Sequence, residues 1–208
     1  MSAPRVLLAT RNAHKLGELQ RILDAMTPPV GLDVIGLGDV PPFDEVPESG
    51  ATFVDNAFIK AREAVARTGI PAIADDSGLA VDALNGMPGV LSARWAGAGR
   101  SDEANLALVL EQLADTPDER LGAAFVCAAV LVLPDGTEHA IERRMTGRLI
   151  RAPRGTNGFG YDPIFVPDGH DRTSAELSPA EKDAISHRGQ ALRALAPIIA
   201  AALAPPAG

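Results

Sequence analysis

The chain has 208 residues, of which 46% are hydrophobic and 22% charged, and its formal net charge is -8. This composition is typical of a globular protein with an apolar core, built as one large domain or two small lobes. The acidic balance argues against polymeric nucleic acid as a partner, because a basic face is then expected, but it allows a nucleotide, which needs only a few local cations.

Membrane insertion and disulfide formation are also disfavoured. No apolar run is long enough to span a bilayer, so we predict no membrane partner. The only cysteine, Cys127, lies inside an apolar run and cannot form an intramolecular disulfide. A buried thiol suits a reducing compartment, which makes the cytoplasm the expected location.

The chain opens with a predicted strand, loop and helix. Residues 5–9 are mostly apolar and predict a buried strand. The loop residues 10–15 lead into a helix whose inner stripe consists of Leu16, Leu19, Leu23 and Met26. A hydroxyl, an amide and a lysine before a helix N-terminus suit a phosphate, although Thr10 and Asn12, taken alone, are better explained as helix caps.

A second strand is predicted at residues 32–37, followed by a loop at 38–50 that is rich in proline and acidic residues. This loop is either a solvated connection or a means of bringing a carboxylate to a metal. An amphipathic helix is predicted at residues 52–68, and Gly69 ends it.

The central stretch of the chain combines apolar runs with adjacent acids. Residues 72–74 predict a short strand, Asp75, Asp76 and Ser77 follow it, and we predict a turn at Gly78. Because side chains alternate along an extended segment, Asp75 and Asp76 are expected to have different roles. A carboxylate beside a hydroxyl suits magnesium and phosphate, but these residues alone are better explained as an ordinary polar turn.

The second half begins with a helix that Ser101 starts. Residues 125–133 and 137–149 then predict a hairpin whose first strand is buried on both faces. Residues 154–163 form a glycine-rich loop that carries Phe159 and Tyr161, although aromatic residues make up only 4% of the chain. This loop is either a stacking face for a flat ligand or a turn with a hydrophobic plug.

The last segments predict an edge strand at residues 164–166 and two helices. Ser178 and Glu181 form a capping box that places Lys182 early on the first helix. His187 and Arg188 lie in the first turn of the second helix, where cations are unfavourable, which indicates an anion or carbonyl nearby. Pro197 is expected to kink or interrupt this helix.

Five groups of residues, in order along the chain, carry a family resemblance. They are Ala9-Thr10-x-Asn12-x-x-Lys15; Glu48-x-Gly50-x-Thr52-Phe53-x-x-Asn56-Ala57 with Lys60-Ala61; Ala74-Asp75-Asp76-Ser77-Gly78-Leu79 with Pro88-Gly89-x-x-Ser92-Ala93-Arg94; Gly158-Phe159-Gly160-Tyr161-Asp162-Pro163; and Ala175-Glu176-Leu177 with Glu181-Lys182 and Ser186-His187-Arg188-Gly189-Gln190-Ala191. Together they resemble the inosine/xanthosine triphosphate pyrophosphatases, which remove non-canonical purine nucleotides.

The resemblance implies an α/β fold with a long mixed central sheet, flanking helices, and two lobes around a nucleotide cleft. It implies one two-lobed domain over residues 1–208, with 204–208 expected as a disordered tail, and a homodimer. The implied reaction converts a nucleoside triphosphate and water to the monophosphate and pyrophosphate, with Mg²⁺, by attack on the α-phosphorus.

The resemblance also implies roles at the phosphate end. The triphosphate would be held by Thr10, Arg11, Asn12, Ala13, His14 and Lys15. Asp76 would bind the metal and act as general base, with Asp75 in support. Glu48 would be the second metal ligand, with Glu45 as the fallback, and Ser77 would touch the substrate. Lys60 is either a further phosphate contact or a surface charge.

At the base end, Phe159 would stack on the purine, and Gly160, Tyr161 and Asp162 would shape the pocket. Lys182, His187 and Arg188 would close it. A donor from His187 or Arg188 to the 6-oxo group would disfavour adenine, whose amino group leaves that donor unpaired.

Some positions depart from the resemblance, and other functions stay open. Arg11 and His14 stand where some family members have glycine, and Pro47 where some have a further acid. The alternatives are a related pyrophosphatase for modified pyrimidine or standard nucleotides, and a nucleotide-binding module without catalysis.

Overall fold

The computed structural model describes residues 4–10, 13–25, 32–44, 46–97 and 101–203, with the side chains of residues 13, 14 and 18 excepted. The described residues form six strands and five α-helices: β1 Arg5–Leu8, α1 Ala13–Asp24, β2 Asp33–Gly36, α2 Phe53–Thr68, β3 Ala72–Val81, α3 Asp102–Gln112, β4 Gly122–Val132, β5 Glu138–Leu149, β6 Phe165–Pro167, α4 Pro179–Ile185 and α5 His187–Leu203. Arg11, Asn12, Glu45 and the predicted disordered tail at 204–208 lie outside these residues.

The strands form one mixed sheet in the order β2-β1-β3-β4-β5-β6. Strand β1 pairs in parallel with β2 and β3, and β5 pairs antiparallel with β6. Residues 6–8 of β1 are buried, as its apolar run predicted. The prediction of an α/β fold with a mixed central sheet and flanking helices is therefore confirmed.

The predicted turn at Gly78 is wrong, because β3 continues without interruption from Ala72 to Val81. Adjacent acids are poor strand formers in isolation. Here each carboxylate has a lysine partner from another element, Lys15 for Asp75 and Lys60 for Asp76. These partners compensate the charges, so the strand persists through a sequence that locally favours a turn.

The local signals for helix ends were accurate. Thr52 and Asp55 form a capping box at the start of α2, and Gly69 ends it in the left-handed region with a φ of 67°. Ser178 and Glu181 form the predicted capping box of α4. Pro197, in contrast, does not interrupt α5, which runs from residue 187 to 203. The helix buries residues on both sides of this proline, Leu195 and Ile199, and this packing maintains it.

The predicted hairpin and its buried first strand are confirmed. In β4 every residue from 123 to 132 is buried, and the turn closes through the Leu133 N–H donating to the Thr137 carbonyl at 2.9 Å. Strand β5 differs, because its residues 138–144 are exposed or half-buried, and β6 pairs with the later residues 147–149.

The chain forms two compact units, each assembled from separate segments. The first contains Met1–Asp76, Ala128–Glu142 and Gly189–Gly208, and the second contains Ser77–Cys127 and Arg143–Arg188. A core cluster in the first unit includes Leu7, Ile35, Ala64 and Ala72, and one in the second includes Leu79, Val109, Phe125 and Phe165. Among the described residues, no helix has the length and apolarity needed to cross a bilayer.

Candidate functional site

A lysine of the first unit joins two carboxylates. The Lys60 Nζ lies 3.0 Å from Glu48 Oε1 and 3.3 Å from Asp76 Oδ1. Glu48 comes from the loop before α2, Lys60 from α2 and Asp76 from β3. The Lys60 side chain is only 22% exposed, so its interpretation as a surface charge is wrong. We call Glu48, Asn56, Lys60 and Asp76 the acidic cluster.

Asn56 is the member of this cluster to which the sequence assigned no role. It is fully buried, its Nδ2 donates to Asp76 Oδ2 at 3.1 Å, and its Oδ1 accepts the Gly50 N–H at 2.8 Å. One amide thus fixes the Asp76 carboxylate and the loop that carries Glu48. The available signal was a polar residue on the apolar face of α2, beside Phe53 and Ala57.

Position 50 has no room for a side chain, so it requires a glycine. A Cβ at this position would lie 2.8 Å from the Asn56 Oδ1 and 2.9 Å from the Asn56 backbone nitrogen. Such distances are too short for a carbon, so a side chain here would displace Asn56 or the loop.

The environment of Asp76 favours its protonated form. Burial and the nearby charge of Glu48 raise the pKa of Asp76 above its usual range, and they outweigh Lys60 and Asn56, which lower it. For Lys60, burial lowers the pKa, but Asp76, Glu48 and Asp75 together outweigh burial and raise it. Asp76 is therefore a stronger base than an ordinary aspartate, which suits a proton acceptor.

Asp75 has a different partner, as the alternation of side chains along a strand predicted. The Lys15 Nζ lies 2.7 Å from Asp75 Oδ2, and the Asp75 side chain is almost fully buried. Lys15 belongs to the first turn of α1, and β1, which precedes α1, pairs with β3. The parallel pairing of β1 with β3 therefore brings the start of α1 to the acids of β3.

The predicted phosphate loop is described in part. Thr10 lies two residues after the end of β1, and its carbonyl accepts the Leu37 N–H at 3.3 Å. Ala13 and His14 are the first residues of α1, with side chains outside the described part of the chain, as are Arg11 and Asn12 altogether. The role of this loop in holding the triphosphate stays a prediction.

Two members of the acidic cluster, Glu48 and Asp76, carry carboxylate oxygens, which are the donors that Mg²⁺ prefers. Glu48 and Asp76 each place one carboxylate oxygen on the same ammonium group, so both reach one cation position. No group of three or more carboxylate, histidine or cysteine ligands occurs among the described residues. Mg²⁺ is commonly held by one or two carboxylates together with water and substrate phosphates, so these two residues fit such an ion.

The second unit carries an exposed aromatic ring. Phe159 is 77% exposed, whereas Tyr161 and Asp162, which follow it closely, are buried. The Asp162 carboxylate pairs with Lys182 and accepts the Phe159 N–H at 2.9 Å. The Lys182 Nζ also lies over the Phe159 ring, 5.2 Å from its centroid. Lys182 thus contacts one face of the ring and fixes the turn that carries it.

Tyr161 and Gly160 fix the same turn from other directions. The Tyr161 hydroxyl donates to the Ser92 carbonyl at 2.8 Å, and the Gly160 N–H donates to Asp102 Oδ2 at 2.8 Å. Burial, and secondarily the charge of Asp102, raises the pKa of Tyr161 far above its usual value, so the phenol stays protonated as a donor. No sequence signal pointed to Asp102.

The remaining predicted site residues are half-buried, namely Ser77, His187 and Arg188. The Ser77 Oγ is enclosed and has no hydrogen-bond partner within the described residues. The His187 ring stacks on Phe125, with centroids 5.1 Å apart and planes inclined by 12°. His187 and Arg188 open α5, as predicted.

Comparison with known proteins agrees with the resemblance seen in the sequence. A dITP/XTP pyrophosphatase of Nocardia farcinica is 61% identical over 201 residues, which cover 97% of each chain. The crystal structure of a nucleoside-triphosphatase / dITP/XTP pyrophosphatase from Mycobacterium abscessus is 60% identical, covers 92% of this chain and 98% of its own, and has a TM-score of 0.79. A HAM1 protein from Coxiella burnetii is 43% identical, with a TM-score of 0.86 over 94% of this chain and 98% of its own. The model of the Ham1 family matches residues 6–198, and the chain therefore belongs to the Ham1 family.

Proposed function

We propose that this protein hydrolyses non-canonical purine nucleoside triphosphates, namely ITP, dITP and XTP, to the monophosphate and pyrophosphate, and so cleanses the nucleotide pool. The observation that carries this proposal is the 61% identity, over 97% of both chains, to a protein named dITP/XTP pyrophosphatase. The acidic cluster supports it, because it offers a proton acceptor, Asp76, and a cation, Lys60, in one place.

In the proposed reaction a water molecule attacks the α-phosphorus. Asp76 accepts the proton of this water, a new oxygen–phosphorus bond forms, and the bond from the α-phosphorus to the oxygen of the leaving pyrophosphate breaks. Before a metal ion binds, burial and Glu48 hold the pKa of Asp76 above its usual range, which suits a proton acceptor. Asn56 orients the carboxylate.

The charge of the triphosphate requires cations. Lys15 and Lys60 supply two ammonium groups, each held by carboxylates of β3. We further propose that Glu48 and Asp76 hold Mg²⁺ when substrate binds. The ion would neutralise part of the phosphate charge. The residues of the opening loop, Thr10 to Lys15, complete this end of the site in the proposal.

For the base, we propose that the purine stacks on Phe159. An exposed aromatic ring is a suitable platform, and Lys182 already contacts one of its faces. Gly160, Tyr161 and Asp162 set the conformation of the turn. In the proposal His187 or Arg188 donates to the 6-oxo group, which distinguishes hypoxanthine and xanthine from adenine.

Two further properties are proposed. A homodimer is supported by residues 138–144 of β5, which are accessible and lie outside the stretch, residues 147–149, that pairs with β6. A cytoplasmic location is supported by the buried thiol of Cys127, the only cysteine in the sequence. Light scattering in solution tests the dimer, and a mass equal to one chain would contradict it.

The activity is tested with a panel of dITP, XTP, ATP, dTTP and UTP, in Mg²⁺ and in EDTA, with pyrophosphate and orthophosphate measured separately. We expect pyrophosphate from dITP and XTP, and none in EDTA. In water enriched in oxygen-18, the label is expected in the monophosphate, as attack on the α-phosphorus requires. Preference for UTP, dTTP or ATP, or binding without turnover, would favour the alternatives and overturn the proposal.

A further inference from the structure

The turn that carries Phe159 receives a hydrogen bond from a distant part of the chain. The Gly160 N–H donates to Asp102 Oδ2 at 2.8 Å, and the two residues are 58 positions apart. Asp102 is the first residue of α3, immediately after Ser101, whose Oγ accepts the Ala104 N–H and caps the helix. It lies outside the five groups of residues that carry the family resemblance.

Helix α3 is a firm support for this carboxylate. Val109 and Leu113 are buried at its far end, and the Asn105 side chain accepts the Ala96 N–H at 2.7 Å. The Asp102 carboxylate is therefore attached to an element whose position the core determines. Asp102 itself is exposed, so the hydrogen bond from Gly160 restricts its carboxylate as well as the turn.

Phe159 depends on such bonds because packing does not hold it. The ring is 77% exposed, so few neighbours restrict its orientation. Its backbone N–H donates to Asp162, and its carbonyl accepts the Asp162 N–H at 3.2 Å, which closes the turn on itself. The bond from Gly160 to Asp102 ties this closed turn to α3. Gly160 has a φ of 60°, a conformation that other residues rarely adopt.

We infer that Asp102 is a positioning residue for purine recognition: by accepting the Gly160 N–H, it fixes the turn that presents Phe159 to the base. The inference rests on the proposed function, in which Phe159 stacks on the purine. A stacking platform contributes most when its orientation is set before the ligand arrives.

The test uses Asp102→Ala and Asp102→Asn, with Glu103→Ala as the matched control, since Glu103 is the next residue, acidic and exposed. The measurements are kcat and KM for dITP and product inhibition by dIMP and by pyrophosphate. For Asp102→Ala, KM for dITP and the inhibition constant for dIMP are each expected to rise about threefold to tenfold, the size of one lost hydrogen bond. The kcat and the pyrophosphate inhibition constant are expected to stay within about twofold of wild type. The lost hydrogen bond belongs to the turn at the proposed base end of the site and not to the phosphate end.

Asp102→Asn separates positioning from charge. Its amide oxygen still accepts the Gly160 N–H, so we expect it to retain most of the affinity that Asp102→Ala loses. In a Phe159→Leu background, Asp102→Ala is expected to have little further effect, because the two residues act on one platform.

Three results would overturn the inference: an unchanged KM in Asp102→Ala, an equal loss of dIMP and pyrophosphate binding, or full additivity with Phe159→Leu. A wild-type protein that does not hydrolyse dITP is a different outcome. It would overturn the proposed function, and with it the substrate on which the inference depends.

Discussion

The ammonium of Lys15 lies 2.7 Å from the carboxylate of Asp75, and this ion pair leaves Asp76 to other partners. Because successive side chains point to opposite faces of a strand, the neighbouring acids on β3 have different partners. Asp75 holds a cation that the first turn of α1 presents, whereas Asp76 belongs to the acidic cluster.

Replacement of the proposed general base is expected to remove turnover but not the fold. For Asp76→Asn we expect kcat to fall by about 10²- to 10⁴-fold, because an amide cannot accept the proton of water. Binding of dITP is expected to remain measurable by calorimetry. Asp115→Asn, an exposed aspartate of the second unit, is the control and is expected to keep wild-type activity. Retained turnover in Asp76→Asn would remove Asp76 from this role.

The same substitution is expected to change how the stability of the fold depends on pH. Because the folded state raises the pKa of Asp76, the ionised carboxylate destabilises the fold, fully so above the folded pKa, and this penalty disappears below the unfolded pKa. In EDTA, Asp76→Asn is therefore expected to melt at a higher temperature than wild type at pH 7.5. The difference is expected to shrink as the pH falls through the raised pKa of Asp76. A lower melting temperature for the variant at pH 7.5 would contradict the direction.

Asn56 is expected to matter for catalysis as well as for stability. Asn56→Ala leaves the Gly50 N–H without its acceptor, which costs about 1–3 kcal/mol of unfolding free energy. We also expect kcat to fall about 10-fold or more, as for other residues that orient a catalytic ligand. Thr68→Ala, at the other end of α2, loses a hydrogen bond to the Ala64 carbonyl and is the control. A loss of kcat in both variants would indicate a general effect on the helix.

Lys182 is expected to act on substrate binding through the aromatic turn. In Lys182→Ala the nearly buried Asp162 carboxylate loses its cation, and Phe159 loses the contact over its ring. We expect KM for dITP to rise about 10-fold, with a smaller change in kcat, and the unfolding free energy to fall by about 2 kcal/mol. Lys182→Arg retains a cation and is expected to recover part of both losses. A wild-type KM in Lys182→Ala would contradict this role.

The sequence by itself determined most of the secondary structure, because the relevant signals are local. The capping box at Ser178 and the glycine that ends α2 act within one helical turn, and the continuous apolar run of β4 needs no partner to be recognised. The residues that carry the family resemblance were also recognisable, because each group is contiguous or nearly so. Their roles at the site stay predictions.

Only the tertiary structure decided which side chains meet. Strand β3 continues through Asp75, Asp76 and Gly78 because Lys15 and Lys60 reach it from two other elements. Asn56 and Asp102 became visible as supporting residues only through contacts made across 20 and 58 positions. Hydrogen bonds and ion pairs of this kind depend on distance in space, and local periodicity carries no information about it.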